Sequence, residues 1–205
     1  MTEREPSQHY FSAQPQARSR EQRIAVEVRG VSFGLWTDAG MFSPDHVDRG
    51  SLNLAKEVQL RPGMRVLDWG AGYGFLGCLL ARLYPDCPVV MAEINERAAA
   101  LAERNARELG LTQVRVIVGA APASLGDERF DCIVSNPPLR AGRAAVEEVI
   151  EDAVRRLDPG GELWLVIPTN KGAKRYLAYL QERFAEARLV SINGGFRVLW
   201  ARQAA

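Results

Sequence analysis

Three short stretches of this 205-residue chain carry residue types that could do chemistry together. The first runs Val66-Leu67-Asp68-Trp69-Gly70-Ala71-Gly72-Tyr73-Gly74-Phe75-Leu76-Gly77. Apolar residues end in an acid, glycines alternate, and an apolar helical segment follows, which predicts a buried strand, a tight turn and a helix start. A side chain at Gly70 or Gly72 would fill space that a nucleotide-like ligand needs, and the helix start offers unpaired N–H groups. The spacing G-x-G-x-G departs from the G-x-G-x-x-G fingerprint that seats a pyrophosphate on a helix N-terminus. Asp68 would repel a pyrophosphate and suits a cationic amine. A ligand with an amino-acid end and a nucleoside end fits that pattern.

The second stretch closes on Glu93, at the end of the next apolar run, where an acid can accept the ribose hydroxyls of an adenosine group. The third is Asn136-Pro137-Pro138, again directly after an apolar run. A double proline fixes the backbone, so the Asn136 amide oxygen and nearby carbonyls can be aimed rigidly at an exocyclic amino group. Each stretch has a plainer reading. Positive φ alone explains the glycines, a helix-opening carboxylate explains Glu93, and Asn-Pro is a common turn. Their conjunction favours S-adenosylmethionine, whose methyl sulfonium an amine could attack with positioning and electrostatics as the main catalytic means.

These residues need a scaffold that brings strand ends together. Apolar runs at 64–69, 88–93, 114–118, 130–135 and 162–167 read as strands, and 188–192 and 196–201 as a closing hairpin around Asn193-Gly194-Gly195. Helical patterns fall at 74–84, 94–109, 143–157 and 172–184, with Gly110 and Asp158-Pro159-Gly160-Gly161 as stops. Strands alternating with helices predict an α/β fold: a Rossmann-like, doubly wound, seven-stranded sheet, mostly parallel, with an antiparallel C-terminal hairpin. Ligands of such sheets bind beyond the strands' carboxyl ends, where all three stretches lie. Ahead of the sheet, 24–29 and 31–36 read as a small hairpin around Gly30. Ser43-Pro44 reads as a cap and first residue of a helix running to about Leu60. Residues 1–20 are polar and expected to be flexible, leaving 21–205 as a single domain.

Composition bounds the function. The net charge of +1 supplies no global field toward nucleic acid or membrane, so any such attraction must be local. Cys78, Cys87 and Cys132 are odd in number and lack metal-ligand spacing; Cys78 and Cys132 read as reduced core residues. No metal site is expected, and no signal peptide or apolar run of membrane-spanning length is seen, which points to the cytoplasm. His46 reads as a surface or packing residue, and Trp36, Trp69, Trp164 and Trp200 mostly as core. Arg140 and Arg143 follow the fourth main strand, and Lys171, Lys174 and Arg175 the fifth. The latter three have helical i, i+3, i+4 spacing, and both groups emerge where they could meet phosphates, or simply form a solvated helix start.

With these residues in view, the chain resembles the class I S-adenosylmethionine-dependent methyltransferases of the N-P-P, amino-methylating branch. It is most similar to the small-domain family of bacterial 16S ribosomal RNA guanine-N2 methyltransferases and their single-domain archaeal relatives. The matching segments are His9-Tyr10-Phe11-Ser12, Thr37-Asp38-Ala39-Gly40-Met41-Phe42-Ser43, Asp48, Val66–Gly74, Asn136-Pro137-Pro138-Leu139-Arg140-Ala141-Gly142 and Gly194-Gly195-Phe196-Arg197-Val198-Leu199. The resemblance implies that Asp68, Gly70, Gly72, Gly74 and Glu93 bind the cofactor, with Phe42, Ser43, Asp48 and Ala120 beside it. It implies that Asn136, Pro137 and Pro138 hold the target amine. Leu139, Arg140, Arg143, Lys171, Lys174 and Arg175 would face the substrate, ribosomal RNA or the small ribosomal subunit.

Two departures stand out. Many N-P-P enzymes carry an aromatic residue next, to stack on the target, where this chain has Leu139, so guanine recognition must come from elsewhere. The family often has an acid or amide after the third strand to meet the adenine amino group, where Gly119-Ala120-Ala121 offers only backbone. Two other readings compete. One is methylation of a protein glutamine amide, whose family typically has Tyr after N-P-P and an added helical domain. The other is a non-catalytic RNA-binding module, which would have no need of Asp68, the glycines, Glu93 and Asn136 together.

Overall fold

The computed structural model describes residues 20–39 and 45–205. The expectations for residues 1–19, and for Phe42, Ser43 and Pro44 themselves, fall outside those residues.

A seven-stranded sheet forms the centre of the fold. Its strands are β3 (Val66–Trp69), β4 (Val89–Glu93), β5 (Val114–Val118), β6 (Phe130–Ser135), β7 (Leu157–Pro168), β8 (Glu186–Asn193) and β9 (Phe196–Arg202). The order is β5-β4-β3-β6-β7-β9-β8, so the order in which strands are added reverses at β3, and β3 and β6 lie side by side at that switch. Pairing is parallel from β5 to β7, while β9 runs antiparallel to both β7 and β8. The antiparallel strand therefore lies one place in from the edge, with β8 outside it. Strands such as β4, Val-Val-Met-Ala-Glu, are buried along their whole length, as continuous apolar runs covered on both faces should be.

Helices α1 (Arg49–Glu57), α2 (Phe75–Leu83) and α3 (Glu96–Glu108) pack on one face, and α4 (Ala121–Ser124), α5 (Arg143–Arg156) and α6 (Ala173–Arg183) on the other. The N-terminal hairpin of β1 (Glu21–Val28) and β2 (Val31–Asp38) is longer than predicted and adds Ile24, Val26, Phe33 and Leu35 to the first core. Its anchor is Asn105 of α3. The buried amide accepts from the Trp36 N–H at 2.7 Å and donates to the Trp36 and Tyr73 carbonyls at 2.9 and 2.8 Å. One satisfied amide thus ties β2 to the turn after β3. All three cysteines are buried thiols, Cys87 included.

Three elements differ from the sequence reading. The helix expected from Ser43-Pro44 begins at Arg49, because the Asp48 carboxylate caps it by accepting from the Ser51 N–H at 3.0 Å. Asp158-Pro159-Gly160-Gly161 does not separate α5 from a strand but lies inside β7 as a bulge, with the register against β6 slipping between Phe130 and Cys132. Lys171 belongs to a short 3-10 turn, Thr169–Lys171, and Gly172 then takes a φ of +87° before α6 starts. Lys171 therefore has no helical phase with Lys174 and Arg175.

Candidate active site

The ends of β3, β4 and β6 open into one cavity of about 440 Å³, within the range of roughly 300–1,000 Å³ typical for small-molecule sites. It is bordered by residues from all three chemical stretches: Asp68, Gly70, Gly72, Glu93 and the run Asn136–Leu139.

On the β3–β4 side the turn after Trp69 hugs the neighbouring strand. The N–H groups of Gly70 and Ala71 both donate to the Ala92 carbonyl, at 2.9 and 3.1 Å. Gly70, Gly72 and Gly74 all have positive φ, but for different ends. A Cβ on Gly70 would meet no protein atom within 4 Å, so this backbone faces open cavity. A Cβ on Gly74 would press Met91 Sδ at 3.0 Å and Ala102 Cβ at 3.1 Å, so the third glycine lets α2 pack on α3. Gly74 is not among the residues that border the cavity.

Asp68 and Glu93 are buried carboxylates without an ion-pair partner among the described residues. Asp68 Oδ2 accepts from the Gly77 N–H at 2.8 Å; Glu93 accepts from Gly72 at 2.7 Å and from Asn95 at 2.9 Å. Burial pushes Asp68 from 3.8 up to about 7, the Gly77 hydrogen bond opposes that, and the nearby Glu93 charge adds to it. Burial likewise raises Glu93 against its backbone donors. Both acids brace the turn, and each oxygen keeps a second lone pair for a ligand. Two buried carboxylates, neither paired with a cation among the described residues, favour a positively charged guest.

The Asp68 shift has a testable sign. Because its folded pKa is raised, folding favours the protonated acid, and the stability this gives is full below pH 4 and lost as pH rises toward 7. The melting temperature of the unliganded parent should therefore fall relative to Asp68→Asn between pH 4 and 7. Parallel melting curves across that window would show that Asp68 is not perturbed.

Apolar walls complete this side. Ile94 is 37% exposed despite its chemistry and borders the cavity with Leu139 and Trp69. Trp69 is held by its indole N–H donating to Asp152 Oδ2 of α5 at 3.0 Å, and Asp152 is in turn paired with Arg156 at 2.9 Å. The tryptophan read as core is a cavity wall. Ala120, expected beside the cofactor, borders the cavity, and its carbonyl accepts from the Ala123 and Ser124 N–H groups to close α4.

The β6 side carries the amide. Ser135 Oγ donates to the Trp69 carbonyl at 2.7 Å, joining the ends of β6 and β3 just before Asn136. Asn136 Nδ2 donates to Asp48 Oδ1 at 3.1 Å and to Ser51 Oγ at 3.0 Å. A carboxylate can only accept, so it fixes the amide nitrogen toward the N-terminus of α1 and leaves Oδ1 for the cavity. Asp48, expected beside the cofactor, borders the cavity and also holds Asn136. The Pro137 carbonyl accepts from Leu139 at 2.8 Å and that of Pro138 from Ala141 at 2.9 Å, so the prolines lock a 3-10 turn over the site.

Of the cations expected at the substrate, Arg140 and Lys171 border the cavity. Arg143 does not, and pairs with Glu147 one turn along α5. Lys174 is exposed on α6, and Arg175 folds back over the Tyr176 ring, 4.9 Å from its centroid. The sequence reading missed Ser51, Ile94, Glu148 and Phe196 as cavity residues. Ser51 and Glu148 could have been suspected one helical turn from Asp48 and Asp152. Phe196 had the closing Gly-Gly-Phe segment as its signal.

Among the described residues no helix is long and apolar enough to cross a membrane. Comparison with known proteins agrees with the geometry. The chain is 33% identical to the uncharacterized protein YbxB of Bacillus subtilis (strain 168), over 96% of its own length and 99% of that protein. It is 29% identical to the ribosomal RNA small subunit methyltransferase C of Pseudomonas aeruginosa (strain UCBPP-PA14), over 93% of this chain but 57% of the relative. Among solved structures, the T. thermophilus 16S rRNA N2 G1207 methyltransferase (RsmC) in complex with AdoMet and guanosine superposes with a TM-score of 0.77. That pair shares 28% identity over 92% of this chain and 52% of the neighbour. The chain thus spans about half the length of the ribosomal RNA methyltransferases it matches. The model of the family described as "Methyltransferase small domain" matches residues 32–200, well over half the chain. With a seven-stranded sheet, a cavity over its switch point and S-adenosylmethionine as the family's cofactor, this chain belongs to the methyltransferase small domain family.

Proposed function

We propose that this methyltransferase acts on an exocyclic amino group, the N2 of a guanine in small-subunit ribosomal RNA. The observation that carries the reading is the Asn136 amide, held nitrogen-first by Asp48 and Ser51 so that its oxygen faces the cavity. An amide oxygen fixed in that way accepts an N–H from a conjugated amine and turns the nitrogen lone pair out of conjugation. Bound S-adenosylmethionine supplies an electrophilic methyl group on sulfur. Asn136, braced by Asp48 and Ser51, would hold the amine with its nitrogen toward that methyl group, and the proton the amine gives up would pass to solvent. Asp68, Glu93, Gly72 and the open backbone at Gly70 would hold the cofactor. The guanine and ribosomal parts of the reading draw support from the relatives named for small-subunit rRNA methylation and from the neighbour bound to guanosine.

Labelled methyl transfer to naked ribosomal RNA, small subunits, tRNA and a release factor in parallel, with mass analysis of the product, tests this. The expected product is N2-methylguanosine; N6-methyladenosine or methylglutamine would overturn the assignment. Among the described residues Arg140 and Lys171 are the cations bordering the cavity, so replacing both by alanine should weaken RNA binding. The slope of log affinity against log salt should fall by about 0.7 for each phosphate that is no longer neutralised. An unchanged slope would remove both residues from the RNA surface.

A further inference from the structure

Leu139 leaves the site without an aromatic residue after the double proline, and a flipped base needs a flat surface to be held edge-on to Asn136. Four aromatic side chains among the described residues border the cavity: Trp69, Tyr73, Phe75 and Phe196. Trp69 is tied to Asp152, while Tyr73 and Phe75 are buried in the core beneath the glycine turn. Phe196 alone of the four comes from the opposite side, at the first residue of β9, and is only partly buried.

Its position is fixed by several independent contacts. Phe196 lies opposite Pro168 in the β7–β9 register, and Pro168 also borders the cavity. The hairpin turn before it is clamped on two sides: Thr169 N–H donates to the Gly195 carbonyl at 2.8 Å, and Asn53 Nδ2 of α1 donates to the Asn193 carbonyl at 2.9 Å. Across from the ring is Gly50. A Cβ there would sit 3.0 Å from Phe196 Cδ1 and 3.0 Å from Asp48 Oδ1. The ring and the carboxylate that orients Asn136 are therefore near neighbours across one buried glycine, which no other residue could replace without pushing on both. Lys171, on the turn that Gly195 helps to hold, places a cation at the same end of the cavity.

We propose that Phe196 is the stacking platform for the target base, supplied by the C-terminal hairpin in place of the residue after Pro138. The inference rests on the proposed function and names the subsite of a nucleobase within it. A ring, an oriented amide oxygen and a cation at one end of a cavity match the flat face, amino edge and phosphate of a nucleotide. A glutamine side chain offers only a small amide plane, without a ring to cover the platform.

The probe is 2-aminopurine riboside 5′-monophosphate, which carries the same 2-amino group and loses fluorescence when stacked. Titrated with parent enzyme holding S-adenosylhomocysteine, it should be quenched. Phe196→Leu keeps an apolar side chain against Gly50 and should remove the quenching, with calorimetric affinity for S-adenosylhomocysteine unchanged. Turnover on ribosomal RNA, as kcat/KM, should fall by roughly 5- to 150-fold, the range for removing one base–aromatic stack. Phe196→Tyr, which keeps the ring, should retain both quenching and turnover. No quenching by the parent, or equal quenching and turnover in Phe196→Leu, would overturn the platform. A parent enzyme that methylates a release factor and no RNA would instead overturn the function on which it stands.

Discussion

Asn136→Ala lowers kcat by roughly 10²-fold or more, the usual cost of losing one preorganised group that meets developing charge, while calorimetric affinity for S-adenosylmethionine stays near that of the parent. The separation follows from the geometry. Asn136 hydrogen-bonds Asp48 and Ser51 on α1, and neither reaches the glycine turn or Glu93 in the hydrogen bonds that brace the cofactor side. Losing the amide thus removes the acceptor for the amine without disturbing the β3–β4 end. Asp48→Ala should mimic part of that loss, because an amide held only by Ser51 can rotate and present its nitrogen to the amine. Asp48 also caps α1, so a drop in kcat alone would not separate the two roles. A double-mutant cycle does: in the Asn136→Ala background the Asp48→Ala effect on kcat should largely vanish, whereas the loss of the cap on stability should persist. Wild-type single-turnover rates in Asn136→Ala would reduce the residue to a turn former.

How much of this was legible in the sequence depends on the range of the interaction that fixes each residue. The strand–glycine–helix signal at 66–77 is local, carried by backbone freedom and apolar runs, and it placed β3, the turn and α2 within a residue or two. Strands β4 and β6 were equally readable, since parallel strands buried on both faces are written as unbroken apolar runs. What distinguishes Gly70 from Gly74 was not readable, because it depends on whether Met91 and Ala102 or empty cavity stands opposite. The resemblance put Asp48 at the pocket, which it borders, but sequence spacing says nothing of its partner at position 136, 88 residues away. The helix start was misplaced for a related reason. Ser43-Pro44 is a sound local cap signal, yet Asp48 offers the same chemistry and also bonds Asn136, so the site selects among caps. Spacing misled again at Lys171, where the left-handed turn at Gly172 breaks the phase that i, i+3, i+4 counting assumes. Phe196 lay in a segment with an obvious turn, but which face of β9 met the cavity was a matter of register against β7.

Substituting two glycines of the same turn should give opposite phenotypes. Gly70→Val abolishes S-adenosylmethionine binding while the protein stays folded. No protein atom lies within 4 Å of a Cβ at that position, so the added side chain occupies cavity that the cofactor needs. The residue's φ of +77° does impose backbone strain on valine, of order 1–3 kcal/mol for a non-glycine residue held there, and the melting temperature should drop accordingly. Gly74→Ala adds a single methyl group, yet it meets Met91 Sδ at 3.0 Å, Ala102 Cβ at 3.1 Å and the Ala102 backbone at 3.2 Å, on top of a φ of +89°. Backbone cannot yield as a flexible side-chain end can, so α2 and α3 must move apart. The expected result is the larger loss of thermal stability for the smaller substitution, with cofactor affinity retained in whatever fraction remains folded at low temperature. Calorimetry and thermal melts on both variants decide the matter. Retained affinity in Gly70→Val would mean the cofactor does not lie against this turn, and the site would have to be sought elsewhere in the cavity.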